Sequence, residues 1–217
     1  MHITQKFLAF TLLGADWVLW LLLGLSVLSV GIMIERWRYF ANRKVDVDEL
    51  ARDLSAFLAS GDLAGAEKKW GQRDAIETVV GLAGLREAAR GPDVAAEAMT
   101  GERARHRQEL ERNLTFLGTL GNNAPFIGLF GTVLGIIRAF RDLSLDAQSS
   151  GQAVMAGISE ALVATAVGLL VALPAVMTFN YFQRRVRAAV ASSDAVRHLV
   201  LAELRAATAT SPGKLGA

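Results

Sequence analysis

Three stretches of this 217-residue chain, Trp17–Ile34, Leu114–Ile137 and Ala161–Gln183, contain no Asp, Glu, Lys or Arg across 65 residues. With 20% of the chain charged, about 13 such residues would fall there by chance. Uncharged apolar runs of roughly 17–25 residues are the length a helix needs to cross the hydrocarbon core of a bilayer. The expected fold is an all-α membrane protein with three transmembrane helices. A water-soluble globule is excluded, and so is a disordered chain, because 52% of residues are hydrophobic and only four are Pro.

The net charge of +2 is too small to argue for a nucleic-acid partner, and the Lys and Arg residues form no long run. With no Cys, the chain has no disulfide, thiolate metal site or Cys nucleophile. The first apolar segment is too long for the core of a cleaved signal. Asp16 interrupts the run from Phe7, and no small-x-small site precedes Glu35-Arg36, so the segment is expected to remain as a span.

Positive residues set the orientation. Arg36, Arg38, Arg43, Lys44 and Arg52 follow the first span, and Arg103, Arg105, Arg107 and Arg112 precede the second. Arg184, Arg185, Arg187 and Arg197 follow the third, whereas the opposite side has only Lys6, Arg138 and Arg141. The resulting order is an outer N-terminus (1–16), span one (17–34), a cytoplasmic helical region (35–113), span two (114–137), an outer loop and entry to the third helix (138–156), span three (157–183) and a cytoplasmic C-terminal helix and tail (184–217).

Within the cytoplasmic region, Val47, Leu50, Leu54, Phe57 and Leu58 follow helical spacing and stop at Gly61-Asp62. Leu63, Ala66 and Trp70 suggest a second helix, and Ile76, Val79, Val80 and Ala83 a third. Gly91-Pro92 is a break, after which Asp93–Asn113 is expected to be helical and to run on into span two. Ala206–Ala217 is expected to fray. The region is small and polar, with no phosphate loop or metal-ligand cluster, which argues against an enzyme. His2, His106 and His198 lie far apart in sequence and read as solvated side chains.

Spans two and three carry small-residue stripes. Gly118, Gly121, Pro125, Gly128, Thr132, Gly135 and Ala139 recur at alternating steps of three and four, as do Gly157, Ala161, Ala164 or Thr165, Gly168, Ala172 and Ala175. Such stripes let helix backbones approach closely in lipid. If the two spans are antiparallel, Thr132 and Thr165 fall at comparable depth, each roughly 7–9 Å from the outer marker Arg138 or Glu160. Pro125 and Pro174 match further in. Each Thr is open to two readings: a hydroxyl bonded to the carbonyl four residues back, or a functional group. Asn122 and Asn123 read as interhelical hydrogen-bond formers.

Glu160 is flanked by 13 uncharged residues on one side and 23 on the other. A carboxylate at membrane depth costs several kcal/mol unless it meets water or a partner, or is protonated. It either lines an ion path or occupies the first turn of a helix beginning near Gly157, where the helix dipole favours it.

Leu117–Phe140 (LGTLGNNAPFIGLFGTVLGIIRAF) and Ala156–Asn180 (AGISEALVATAVGLLVALPAVMTFN) resemble the paired signature of the ExbB/TolQ/MotA proton-channel family. With three spans, the chain is most similar to the ExbB/TolQ type. The resemblance covers Asn113–Val186 at most, and neither Glu35–Pro92 nor the tail is diagnostic. It implies a stator subunit of the bacterial inner membrane, with a periplasmic N-terminus and a cytoplasmic C-terminus. Five copies would ring the single-span helices of ExbD/TolR-like partners, and proton flow would drive work on a TonB/TolA-like or gliding-motility component. It also implies that Thr132, Glu160 and Thr165 line the pore, that the proton-carrying aspartate belongs to the partner, and that no cofactor or metal is needed. Ser159 departs from the Ala usual there. The absence of a richer cluster of carboxylates and hydroxyls favours protons over sodium. The competing reading is a non-conducting membrane scaffold.

Overall fold

A computed structural model describes residues 16–43, 45–145 and 151–210. The expectations for His2, Lys6, Lys44, the outer N-terminus to residue 15, the loop centre at 146–150 and the tail from 211 lie outside these residues. Among the described residues the regular structure is entirely helical: α1 (Asp16–Ala41), α2 (Val47–Ser60), α3 (Leu63–Trp70), α4 (Ile76–Arg86), a 3₁₀ turn (Ala88–Arg90), α5 (Pro92–Glu111), α6 (Leu114–Leu145) and α7 (Gly151–Thr210). Three of these, α1, α6 and α7, are long and apolar enough to cross a membrane. Contacts divide the chain into two compact units, one from residues 1–35 and 113–181 and the other from 36–112 and 182–217.

In the first unit α6 and the first half of α7 run antiparallel through their small residues. A side chain built at Gly118 would meet the Phe179 ring, at Gly121 it would meet Val176, and at Gly157 it would meet Ala139. At the centre a Cβ on Gly128 would lie 2.6 Å from the Ala164 carbonyl oxygen, and one on Gly168 would lie 2.6 Å from that of Ala124. The backbones therefore touch directly, which gains dispersion contacts where lipid supplies no hydrophobic drive. Val18 and Leu22 of α1 complete the core with Leu120, Ala124, Leu134, Val171, Ala172 and Ala175. Pro125 and Pro174 both lie inside continuous helices.

In the second unit short helices are fixed by caps and large side chains. Asp46 caps α2 by accepting from the backbone amides of Asp48 and Glu49 at 3.0 and 3.1 Å, and Gly61 ends it with a left-handed φ of 69°. Asp62 then caps α3, accepting from the Gly65 amide at 2.9 Å. The α4 helix is nearly all buried. A Cβ at Gly81 would strike Leu54 and Val196, and one at Gly84 would strike Met99 and Val200, so α2, α5 and the second half of α7 all press on it.

Three expectations are corrected. The helix through 93–111 does not run on into span two: Arg112 leaves helical geometry (ψ 139°) and Asn113 takes φ 61°, a left-handed value that Asn tolerates better than most residues. At its other end α6 runs eight residues beyond Ile137, because Arg138–Leu145 contains no Gly or Pro to stop it. The C-terminal helix remains regular to Thr210.

Candidate functional site

The antiparallel register decides which candidate residues meet. Gly128 abuts the Thr165 backbone, with a Cβ-to-Cα approach of 3.0 Å, and a Cβ on Gly131 would lie 2.7 Å from that of Ala164. Thr132 follows Gly131 and Thr165 follows Ala164 on helices that run in opposite directions, so the two residues are offset by about 3 Å in height, less than one helical turn. Gly131, which lies off the expected stripe, is the contact residue that the three/four spacing missed; its own step of three from Gly128 was the available signal.

The two hydroxyls are in different states. Thr132 is buried, and its Oγ1 donates to the Leu129 carbonyl at 2.6 Å, three residues back rather than four. The Thr165 Oγ1 is buried with no hydrogen-bond partner among the described residues. A buried hydroxyl left without a partner costs about 1–3 kcal/mol. Asn123 is not an interhelical bridge: it is exposed and donates to the Thr119 carbonyl of its own helix at 2.7 Å, while Asn122 is also exposed. Ser159 likewise bonds within its helix, donating to the Met155 carbonyl at 2.8 Å.

Glu160 lies nine residues inside α7, which begins at Gly151 rather than near Gly157. The dipole benefit fades after the first turn, so the helix-start reading of Glu160 is removed. The carboxylate is exposed on the single chain and lines an open cavity of about 440 Å³ with Gly135, Gly157 and Ala161 and with the charged Asp16, Arg138 and Asp142. Arg138 and Asp16 pair loosely at 3.8 Å across α6 and α1. Of the remaining candidates, Gly121 packs on Val176, close to Pro174 in sequence, and Gly128 packs on Gly168.

The second unit holds a polar cluster that the sequence concealed. His106 is buried rather than solvated, with Nε2 2.9 Å from Asp74 Oδ1. Arg43 pairs with the same carboxylate. Burial pushes the Asp74 carboxyl up, but the hydrogen bonds from Arg43 and His106 more than offset this and hold it below the usual carboxylate range. Glu77 moves the other way, raised by burial in α4. Arg36 is buried, donating to the Glu109 carbonyl at 3.3 Å and lying 4.5 Å from the centre of the Tyr39 ring. His198 is exposed, as expected. Among the described residues no group of three or more His, Asp or Glu side chains could hold a metal.

Comparison with known proteins gives this arrangement its context. The model of the MotA/TolQ/ExbB proton channel family matches residues 72–195, more than half of the chain. The chain belongs to this family, and its three long apolar helices make it a multi-pass membrane protein. It is 47% identical over 90 residues to the Tol-Pal system protein TolQ of Pseudomonas aeruginosa, covering 42% of this chain and 39% of that one. It is 50% identical over 84 residues to TolQ of Haemophilus influenzae (39% and 37%) and 44% identical over 91 residues to the biopolymer transport protein ExbB of Neisseria gonorrhoeae (42% and 41%). The chain thus spans about two fifths of the length of these relatives. The family match begins at Gln72 and takes in α4 and α5, including the Gln72–Pro92 stretch that sequence reading treated as undiagnostic.

Proposed function

We propose that the chain is the ring-forming stator subunit of a motor driven by the proton gradient across the inner membrane, working with an ExbD/TolR-like single-span partner. The observation that carries this reading is the α6–α7 pair itself. It sets the Thr165 hydroxyl, unpartnered among the described residues, within a helical turn of the level of Thr132, with Glu160 five residues earlier on α7, about 7.5 Å along the helix, at an open cavity. Hydroxyls and one carboxylate can pass protons or water without leaving a fixed charge in lipid. The three uncharged windows contain no Asp, so the carboxylate that carries protons at mid-membrane would come from the partner. Each charge crossing 100 mV releases about 2.3 kcal/mol, enough to bias a step between neighbouring subunits.

Ring assembly accords with the apolar side chains left exposed on one copy, including Phe126 at 68%, Leu170 at 70% and Met177 at 71%. The reading places the N-terminus in the periplasm and the C-terminus in the cytoplasm. Whether the motor serves Tol-type envelope maintenance, TonB-linked uptake or gliding motility depends on the partner. Purification from native membranes in mild detergent, followed by native mass measurement, tests the assembly: a pentamer holding a small single-span protein supports it. A stable complex without such a chain moves the assignment to a non-conducting scaffold.

A further inference from the structure

The second unit holds a basic pocket with no role in the proton-path reading. A cavity of about 360 Å³ is lined by Arg38 of α1, by Asn42 and Arg43 just past its end, and by Gln72, Arg73 and Asp74 from the segment before α4. Three guanidiniums face one carboxylate, and that carboxylate is engaged by Arg43 and His106. Arg38 and Arg73 have no ion pair among the described residues.

The ring partners restrict where these cations can go. The Arg43 guanidinium lies 3.5 Å from the centre of the Tyr39 ring, and that of Arg73 lies 5.4 Å from the centre of the buried Trp70 ring. Guanidiniums held this way lose less freedom on engaging a tetrahedral oxyanion, which their planar forks suit. The amides of Asn42 and Gln72 add donors at the same cavity.

We propose that this pocket binds a phosphate group, presented as the phosphodiester of an anionic phospholipid. Arg38 lies four residues past Ile34, the last residue of the first apolar window, or about 6 Å along α1. That is the depth of the headgroup layer, which extends roughly 5–7 Å beyond the hydrocarbon on each face. Basic pockets at this level attract anionic headgroups. The inference stands on the pocket and on α1 as a span, independently of the pore roles.

The test uses the full chain with whatever membrane partners co-purify in mild detergent, titrated separately with phosphatidylglycerol and phosphatidylcholine and read by native mass measurement. Phosphatidylglycerol should be retained about tenfold over phosphatidylcholine. Arg38→Gln with Arg73→Gln should abolish the preference at an unchanged melting temperature, while Arg73→Lys should keep most of it. If inorganic phosphate at millimolar concentration raises the melting temperature of the wild-type chain but not of the double variant, and phosphatidylglycerol shows no preference, the pocket takes free phosphate instead. A lipid preference that survives the double substitution, or no response to either ligand, overturns the proposal.

Discussion

The two units are held together by opposite means. In the spanning unit α6 and α7 meet through the absence of side chains: Gly128 and Gly168 leave backbone against backbone, and a methyl group at either has nowhere to go. In the other unit the helices meet through what their side chains supply. Trp70 fills the space between short helices while its indole donates to Asp53 at 2.9 Å, and Leu54, Met99 and Val200 crowd against α4. Lipid offers apolar groups no reward for leaving it, so close approach is what remains to be gained there; water rewards bulk burial. The first unit should therefore be vulnerable to added atoms and the second to removed ones.

Trp70→Ala should show the largest effect. Emptying a site that leaves Trp70 only 2% exposed costs about 3–5 kcal/mol, read as a lower melting temperature for α2–α5. Trp20→Ala in the spanning unit, where the side chain is 73% exposed, should barely change it. A comparable loss at Trp20 would break the contrast.

Gly128→Ala comes next, at about 1–3 kcal/mol of strain, with reduced recovery of the assembled complex on native gels. Gly31→Ala has nothing within 4 Å and should be neutral or slightly stabilising. Equal tolerance at both positions would mean that the α6–α7 contact is looser than described.

Glu77→Gln should give a smaller change, of stabilising sign. A carboxyl whose folded pKa is raised by burial holds its proton longer in the folded state, so its cost appears as pH rises through and beyond the usual glutamate range. The variant should melt higher than wild type at pH 7–8 and equal it in acid. A gain that persists in acid would point to packing rather than charge.

Asp74→Asn should have the smallest effect, about 1 kcal/mol or less, because the side chain is 55% exposed and solvent screens its pairs. Its folded pKa is depressed, so this contribution is present above the usual aspartate range and is lost as pH falls through the folded value. Melting curves of wild type and Asp74→Asn should converge at low pH.

The contrast also explains what could be read from the sequence. The α6–α7 contact was legible because small residues three and four apart mark a stripe on one helix, and two such stripes with polar markers at matching distances imply an antiparallel register. The stop at Gly61-Asp62 was legible because the signals that end a helix are local. The break at Arg112–Asn113 was hidden, since no Gly or Pro marks it and Asn, although it tolerates the left-handed turn, also occurs within helices. Arg138–Leu145 read as loop because its charges were taken for the end of the helix. His106 looked solvated because the residue that pairs with it is 32 positions away, and nothing local announces such a pairing. The helix-start reading for Glu160 failed for another reason: α7 begins at Gly151, and the mostly small residues of Gly151–Gly157 give too weak an apolar pattern to show the earlier turns.

The most direct measurement is proton flux into liposomes containing this chain with the single-span partner proposed for it, under an imposed membrane potential. The account predicts flux in the wild-type complex, with Glu160→Gln and Thr165→Val each abolishing it while the same assembly is recovered. Undiminished flux in both variants would contradict the placement of the proton path along α6 and α7.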